Sequence, residues 1–182
     1  QGLAVSLGAL AAQDSVPEVR AQALATLRDL AQCSPASFEP HAGMALPRIL
    51  AALNDDDFPE VALCASDTLD GVIESLPAAA ALHALAPHVG SGAAAPVRCL
   101  GGVIARMAPD ALMRSTPDLV PGLVEAFNSN SADVRKAVVD TLVAMYDSLG
   151  DWLLPQLSGL SPAQQKLVTI YINRHLERPA GA

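Results

Sequence analysis

Aromatic residues are scarce in this 182-residue chain: only 3% of its residues are Phe, Trp or Tyr, although 51% are hydrophobic. The apolar volume must therefore come from Ala, Leu and Val, and such side chains favour close packing of helix on helix over a sandwich of sheets. The length also suits one domain with one continuous core. We therefore predict an all-α fold and a single domain over residues 1–182.

Basic residues are scarce too, since 11 Lys and Arg stand against 19 Asp and Glu, and the formal charge is −8. A negative protein repels the phosphates of nucleic acids and anionic lipid head groups, so it lacks the electrostatic attraction that dominates such binding. The acid is concentrated in residues 1–100, which hold 11 acidic and 4 basic residues. We therefore exclude nucleic acid as a partner and expect other proteins.

Long apolar runs and paired cysteines are absent as well. No run reaches the roughly 18 residues of a membrane-spanning helix, and the first residues lack the basic flank of a secretory signal. Cys33, Cys64 and Cys99 form no Cys-x-x-Cys pair, so neither a disulfide framework nor a zinc site is indicated. We expect no membrane insertion and a cytoplasmic location. Because the chain begins within an apolar helical pattern, we also expect it to be excised from a longer protein.

Patterns that carry chemistry are missing. No cysteine or histidine has a catalytic spacing, and neither a Gly-x-Ser-x-Gly motif nor a Gly-rich phosphate loop occurs. His83 and His88 are five residues apart and do not share a helix face in the manner of a metal-binding pair. The run 55–57 of three aspartates lacks the later Gly and Glu of a calcium loop. We therefore predict no catalytic residue, no metal, no cofactor and no enzymatic activity.

What the chain does contain is a repeated turn centred on a valine. Val19, Val61, Val97 and Val134 follow one another at intervals of 42, 36 and 37 residues. Asp, Ser or Pro shortly before the valine supplies an N-cap or a proline in the first helical turn. The period is that of HEAT and armadillo repeats, in which each unit is a helical hairpin.

The repeat predicts paired helices. First helices are expected over about 3–12, 43–53, 78–89 and 110–127, and second helices over about 17–33, 59–76, 96–108 and 132–149. Residues four and eight positions after each valine share one face and should be core: Ala23, Leu27, Ala65, Leu69, Gly101, Ala105, Val138 and Leu142.

Three local features complete the predicted fold. Pro117 and Pro121 each remove a helix hydrogen bond, so we expect a kink or two short helices there. A helix from Ser161 to about His175 should cap the last hairpin, and residues 179–182 are expected to be a frayed tail. The fold class is thus an α-solenoid of about four hairpins with a C-terminal capping helix.

Two groups of charged residues are candidates for partner binding. Between Ile49 and Val97 there are seven acidic residues and no Lys or Arg, so this strip could attract a basic partner or could simply be a solvated surface. Basic residues gather again in the last third. The candidates are Asp55, Asp56, Asp57, Phe58, Glu60, Asp67, Asp70 and Glu74 in the acidic strip, and Arg135, Lys136, Lys166 and Arg174 in the basic group.

The arginines next to the valines have a structural interpretation. In stacked hairpins, an Arg at the start of a second helix can tie one repeat to acidic residues of its neighbour. We interpret Arg20, Arg98, Arg135 and Lys136 mainly as such rungs.

The last third also carries an ordered set of motifs: Leu119–Leu123 (LVPGL), Val134–Ala137 (VRKA), Gly150–Leu157 (GDWLLPQL) and Gln165–Arg174 (QKLVTIYINR). Together these motifs resemble the C-terminal domain of CLASP, the family of cytoplasmic linker-associated proteins. The resemblance is good over about residues 119–175 and implies a HEAT-repeat, TOG-like domain.

The resemblance, and not the composition, implies a function. CLASP proteins regulate microtubules, and their C-terminal piece is expected to recruit them to cytoplasmic linker proteins, kinetochores, cortex or Golgi, with a role in mitosis. The rival interpretation is a tubulin-binding TOG domain, which would present a Trp and basic residues on loops between paired helices. Here those loops are acidic and polar, and Trp152 lies elsewhere, so we expect tubulin to be the less favoured partner.

Overall fold

The computed structural model describes residues 2–55 and 57–177, which lie entirely in helices and the loops between them. The chain divides after Ala84 into two compact units. That residues 1–182 form a single domain stays a prediction. The tail predicted at 179–182 lies outside the described residues.

The first unit contains two helical hairpins. Its helices are α1 (Gly2–Gln13), α2 (Pro17–Cys33), the short α3 (Pro35–Phe38), α4 (Ala42–Ala52), α5 (Pro59–Ser75) and α6 (Ala78–Leu85). α1 packs on α2 and α4 packs on α5, while α1 also contacts α4 and α2 contacts α5. The first helices of the two hairpins therefore form one layer and the second helices form another.

The second unit repeats this plan. A 3-10 segment (Ala86–Ser91) precedes α7 (Ala94–Ile104), α8 (Pro109–Phe127), α9 (Ala132–Leu149), the short α10 (Leu153–Gln156) and α11 (Pro162–Leu176). The 3-10 segment packs on α8, and α7 packs on α9. α9 also contacts α8 and α11. The terminal helix α11 thus extends the layer of second helices.

The valine register correctly predicts the core of three second helices. α2, α5 and α9 begin at Pro17, Pro59 and Ala132, where the repeat places them. Burying a Leu or Val side chain is worth about 1.5–3 kcal/mol, so each buried Leu and Val at these positions stabilises the fold. The predicted core residues of these helices are at most 3% exposed: Ala23, Leu27, Ala65, Leu69, Val138 and Leu142.

The third copy departs from the prediction. α7 ends at Ile104, so Ala105, predicted to be core, is an exposed C-cap residue. Ala108 is extended because a residue that precedes a proline, here Pro109, is pushed out of the helical conformation. The helix therefore has to end before this point. Gly101, also predicted to be core, is half-buried. Two adjacent glycines would suit an unusually close approach of helices, but a Cβ added to Gly102 would meet nothing within 4 Å, so close packing does not account for this glycine.

Of the two outcomes expected at the prolines, the division into two short helices is wrong, and the kink stays a prediction. α8 runs unbroken from Pro109 to Phe127 with Pro117 and Pro121 inside it. The two prolines are four residues apart on the exposed side of the helix, where water can reach the carbonyls that lose their partners. The opposite side is buried, and its packing keeps the helix continuous. The Thr116 hydroxyl donates to the Leu112 carbonyl at 2.8 Å.

The predicted C-terminal helix is confirmed. α11 begins after Ser161, whose hydroxyl accepts a hydrogen bond from the Gln164 N–H at 3.3 Å. The Gln164 side chain in turn accepts from the Ser161 N–H at 2.9 Å. This capping box satisfies two backbone donors at once.

One predicted rung is confirmed. The Arg20 guanidinium forms an ion pair with Asp55 and also donates to the Ala11 carbonyl at 3.1 Å. Asp55 accepts a further hydrogen bond from the Phe58 N–H at 2.9 Å. The pair thus ties the first hairpin to the turn that opens α5.

The other predicted rungs differ. Arg135 donates to the carbonyls of Ser129 and Asn130, at 2.8 and 2.9 Å, and so holds the loop of its own hairpin instead of an acidic residue of a neighbour. The prediction for Arg135 is therefore wrong. Arg98 and Lys136 are exposed.

The Arg20–Asp55 pair makes stability depend on pH. Loss of hydration tends to raise the pKa of Asp55, but the hydrogen bond from Phe58 and the Arg20 charge together lower this pKa below its ordinary value of 3.8. A carboxyl with a lowered pKa in the folded state stabilises the fold above its unfolded-state pKa, and this contribution disappears as the pH falls through the folded-state value. We expect Asp55→Asn to lower the free energy of unfolding at pH 7. The difference from wild type should shrink steadily as the pH falls below 3.8, as measured by urea unfolding followed by circular dichroism. An equal loss at every pH would contradict an electrostatic origin.

Two buried threonines provide a matched test of hydrogen bonding. The Thr141 hydroxyl donates from α9 to the Val97 carbonyl of α7 at 3.0 Å, whereas the Thr68 hydroxyl makes no hydrogen bond with any described residue. Both side chains are at most 1% exposed. We expect Thr141→Val to lower the free energy of unfolding by about 1 kcal/mol and Thr68→Val to raise it by about 1 kcal/mol, because an unmade buried hydrogen bond is costly. Urea unfolding measures both changes in the free energy of unfolding. Changes of the same sign in the two variants would contradict the hydrogen bonding described for these threonines.

Candidate functional site

The acidic strip forms one outer face of α5. Glu60, Asp67, Asp70 and Glu74 are all exposed, and their spacing places them along one side of the helix. Leu63 lies on the same side and is 66% exposed. The structure therefore brings these four predicted residues together on one surface.

The remaining residues of the strip belong to the turn before α5. Asp55 and Phe58 take part in the turn, where Asp55 pairs with Arg20 and accepts from the Phe58 N–H. The Asp55 carboxylate is therefore engaged within the fold, whereas Phe58 contributes its backbone N–H to the turn. Asp57 is exposed, and Asp56 lies outside the described residues.

Most of the basic group gathers around a groove between α9 and α11. A smaller depression of about 180 Å³ and a larger one of about 550 Å³ adjoin each other and share Lys136 and Tyr171 in their linings. We call the two depressions together the α9–α11 groove. The smaller part is also lined by Ala132, Arg135, Val139 and Leu167, and the larger part by Asp140, Val143, Ala144, Asp147, Arg174 and His175.

Three of the four predicted basic residues thus line one site. Lys136 lies where the two parts of the groove meet, Arg135 borders the smaller part and Arg174 borders the larger part. Lys166 is an exposed residue of α11 outside both linings.

The charged residues of the groove differ in whether another charged residue already pairs with them. The Arg174 guanidinium lies 5.9 Å from the centre of the Tyr171 ring, a cation–π contact. His175 Nε2 lies 2.9 Å from an Asp147 carboxylate oxygen, so this acid is engaged at the far end of the groove. Within the described residues, neither Lys136 nor Arg174 forms an ion pair. Two cations beside an aromatic ring are therefore available to a ligand.

An exposed apolar surface accompanies these charges. Leu167, Ile170 and Tyr171 of α11 are 40%, 38% and 39% exposed, while Val168 and Ile172 on the other side of the helix are buried. α11 is thus apolar on two sides, and its contact with α9 covers only one of them. A contiguous group of exposed apolar residues commonly marks a site where a protein binds a partner.

Sequence reasoning missed the apolar part of this site. The spacing 167, 170, 171, 174 is visible in the sequence as one helical stripe, but the stripe through Val168 and Ile172 is equally apolar. Only packing against α9 shows which stripe is buried. Asp140, Asp147 and His175 carried no signal, because single charged residues on a helix usually face solvent.

The described residues contain no group of three His, Cys, Asp or Glu side chains placed to bind a metal ion. Among the described helices, none has both the length and the apolarity to cross a membrane.

The chain is similar to known proteins along most of its length. The HEAT repeat family model matches residues 119–149. CLIP-associating protein 1-A of Xenopus laevis is 30% identical over 160 residues, which are 86% of this chain and 11% of that protein. CLIP-associated protein of Arabidopsis thaliana is 44% identical over 86 residues, which are 47% of this chain and 6% of that protein. The chain therefore spans about a tenth of the length of CLIP-associating protein 1-A.

Two solved structures share the fold. A chain from a structural study of microtubule plus end tracking by XMAP215, CLIP-170 and EB1 aligns with a TM-score of 0.75 and 20% identity, covering 95% of this chain and 74% of that one. The MAST/Orbit N-terminal domain aligns with a TM-score of 0.67 and 18% identity, covering 94% of this chain and 78% of that one. At such identities the likeness shows the fold alone.

These findings confirm both the predicted HEAT-type, TOG-like α-solenoid class and the resemblance to CLASP. That the segment comes from the C-terminal end of a longer protein stays a prediction. The chain is a HEAT-repeat segment homologous to the CLIP-associating proteins.

Proposed function

We propose that this chain is a protein-binding adaptor domain of a CLASP-type, microtubule-associated cytoplasmic protein. Its task is to recruit that protein to cytoplasmic linker proteins. The observation that carries the proposal is the apolar surface of Leu167, Ile170 and Tyr171, which α11 leaves uncovered although it ends the layer of second helices. The proposal includes no catalysis and no cofactor.

A terminal helix that only capped the solenoid would present a polar outer side to water. α11 instead combines exposed apolar residues with Lys136 and Arg174 around a concave site. An apolar centre with a charged border is the usual composition of a protein interface. The surface therefore has the character of a binding site.

The relatives supply the class of partner. Their names describe proteins that associate with CLIP, and we extend this association to the present chain because the similarity covers 86% of it. Recruitment to kinetochores, cortex or Golgi, expected from the resemblance, would use the same adaptor activity with other partners.

Tubulin binding is the second candidate function. One structural neighbour comes from a study of microtubule plus end tracking, which favours this alternative. The loops between paired helices argue for the adaptor instead. Arg20 and Arg135 lie next to these loops but are already engaged. Arg20 pairs with Asp55 and donates to the Ala11 carbonyl, and Arg135 donates to the carbonyls of Ser129 and Asn130. They are thus less available to an acidic partner.

A binding experiment separates the two functions. We expect the immobilised chain to capture a purified cytoplasmic linker protein, and the double variant Leu167→Ser/Ile170→Ser to weaken this capture about tenfold, since loss of apolar contacts at the centre of an interface costs about 1–2 kcal/mol. Leu3→Ser/Leu10→Ser, which changes two exposed leucines of α1, is the matched control and should bind like wild type.

Tubulin dimers are tested in parallel at moderate salt. Co-elution of tubulin with the chain, together with no capture of the linker protein, would replace the adaptor by the tubulin-binding function. Equal effects of the α11 variant and the Leu3→Ser/Leu10→Ser control would remove the support that the apolar surface gives to the proposal.

A further inference from the structure

The α9–α11 groove has the dimensions of a helix-binding site. Its lining on α9 recurs every three or four residues from Ala132 to Asp147, so the groove follows one side of α9 for four helical turns. At 1.5 Å per residue this lining extends for about 22 Å. A segment of about 15 residues in helical conformation matches this length.

The floor of the groove selects apolar side chains. Val139, Leu167 and Tyr171 line its smaller part, and Val143 and Ala144 line its larger part. An amphipathic helix that binds in a groove places residues i, i+3, i+4 and i+7 on such a floor. An extended or fully polar segment would leave the apolar floor uncovered.

The charges of the groove select the flanks of the ligand. Lys136 and Arg174 border the floor and form no ion pair with a described residue. The lining contains two acidic residues. Asp147 contacts His175, and Asp140 is the one acid among the described lining residues that has no ion-pair contact. The lining therefore has a local excess of positive charge, although the whole chain has a charge of −8. It favours a ligand that carries acidic residues beside its apolar stripe.

We infer that the α9–α11 groove binds an acidic amphipathic helix of a partner protein, with the apolar stripe of the ligand on Val139, Leu167 and Tyr171 and its acidic residues beside Lys136 and Arg174. This inference rests on the proposed adaptor function and specifies the chemistry of the segment that the adaptor recognises. The cation–π contact of Arg174 with Tyr171 holds the guanidinium at the border of the groove, where a carboxylate can pair with it.

A pair of labelled peptides tests the chemistry of the ligand. The first is a helix of about 15 residues with Leu at i, i+3, i+4 and i+7 and Glu at the flanking positions, and the second replaces every Glu by Lys. In fluorescence anisotropy at low salt, we expect the full chain to bind the Glu peptide at least about tenfold more tightly than the Lys peptide. The preference should shrink as salt is added.

Charge reversal tests the site. Lys136→Glu/Arg174→Glu should abolish or invert the preference for the Glu peptide, and the inverted preference would show that the variant is folded and that its groove is intact. The matched control Arg98→Glu/Arg114→Glu makes the same change of charge at two exposed residues of α7 and α8 and should keep the wild-type preference.

Several results would overturn the inference. These are equal binding of both peptides, an unchanged preference in Lys136→Glu/Arg174→Glu, or concentration-dependent dimers in sedimentation that this variant abolishes, since the occupant would then be a second copy of the chain. If the groove variant still captures the linker protein as wild type does, the inference fails and the adaptor function stands. If wild type binds the Glu peptide but captures no linker protein, the adaptor function fails.

Discussion

The close contact of neighbouring second helices is the constraint on which the structure depends. In the first unit, where α2 packs on α5, the predicted core positions hold Ala at Ala23 and Ala65 and Leu at Leu27 and Leu69, all of them buried. With few aromatic side chains to fill space, the helices have to approach closely for these small residues to touch. In the second unit α9 packs on α7 and also contacts α11, which continues the layer of second helices.

The sequence predicted the elements whose ends are set by local chemistry. Pro17, Pro59 and Ser161 mark helix starts directly, because a proline in the first turn or a hydroxyl at the N-cap acts within a few residues. The prediction was poorer where packing against residues that are distant in the sequence determines the length of a helix. Pro117 and Pro121 interrupt the hydrogen bonds of α8, yet its buried side keeps it whole, and no local pattern shows how strongly a helix is held from outside.

The candidate site shows the same limit. Charged residues that look alike in the sequence have different roles in the fold: Asp55 is engaged by Arg20 whereas Glu60 is exposed, and Arg135 closes its own loop whereas Lys136 borders a groove. A run of charge predicts a surface but not which of its members are used for structure. The apolar half of the site could not be predicted for a related reason, because both sides of α11 are apolar and only the position of α9 distinguishes them.

The distribution of the few aromatic residues has a spectroscopic consequence. Trp152, Tyr146 and Tyr171 are the only Trp and Tyr residues of the chain, and all three belong to the second unit. Tryptophan and tyrosine fluorescence therefore reports on the second unit alone, while far-ultraviolet circular dichroism reports on the helices of both. Unfolding curves from the two signals coincide only if the units unfold together, so the natural sequence carries its own probe of cooperativity without any added label.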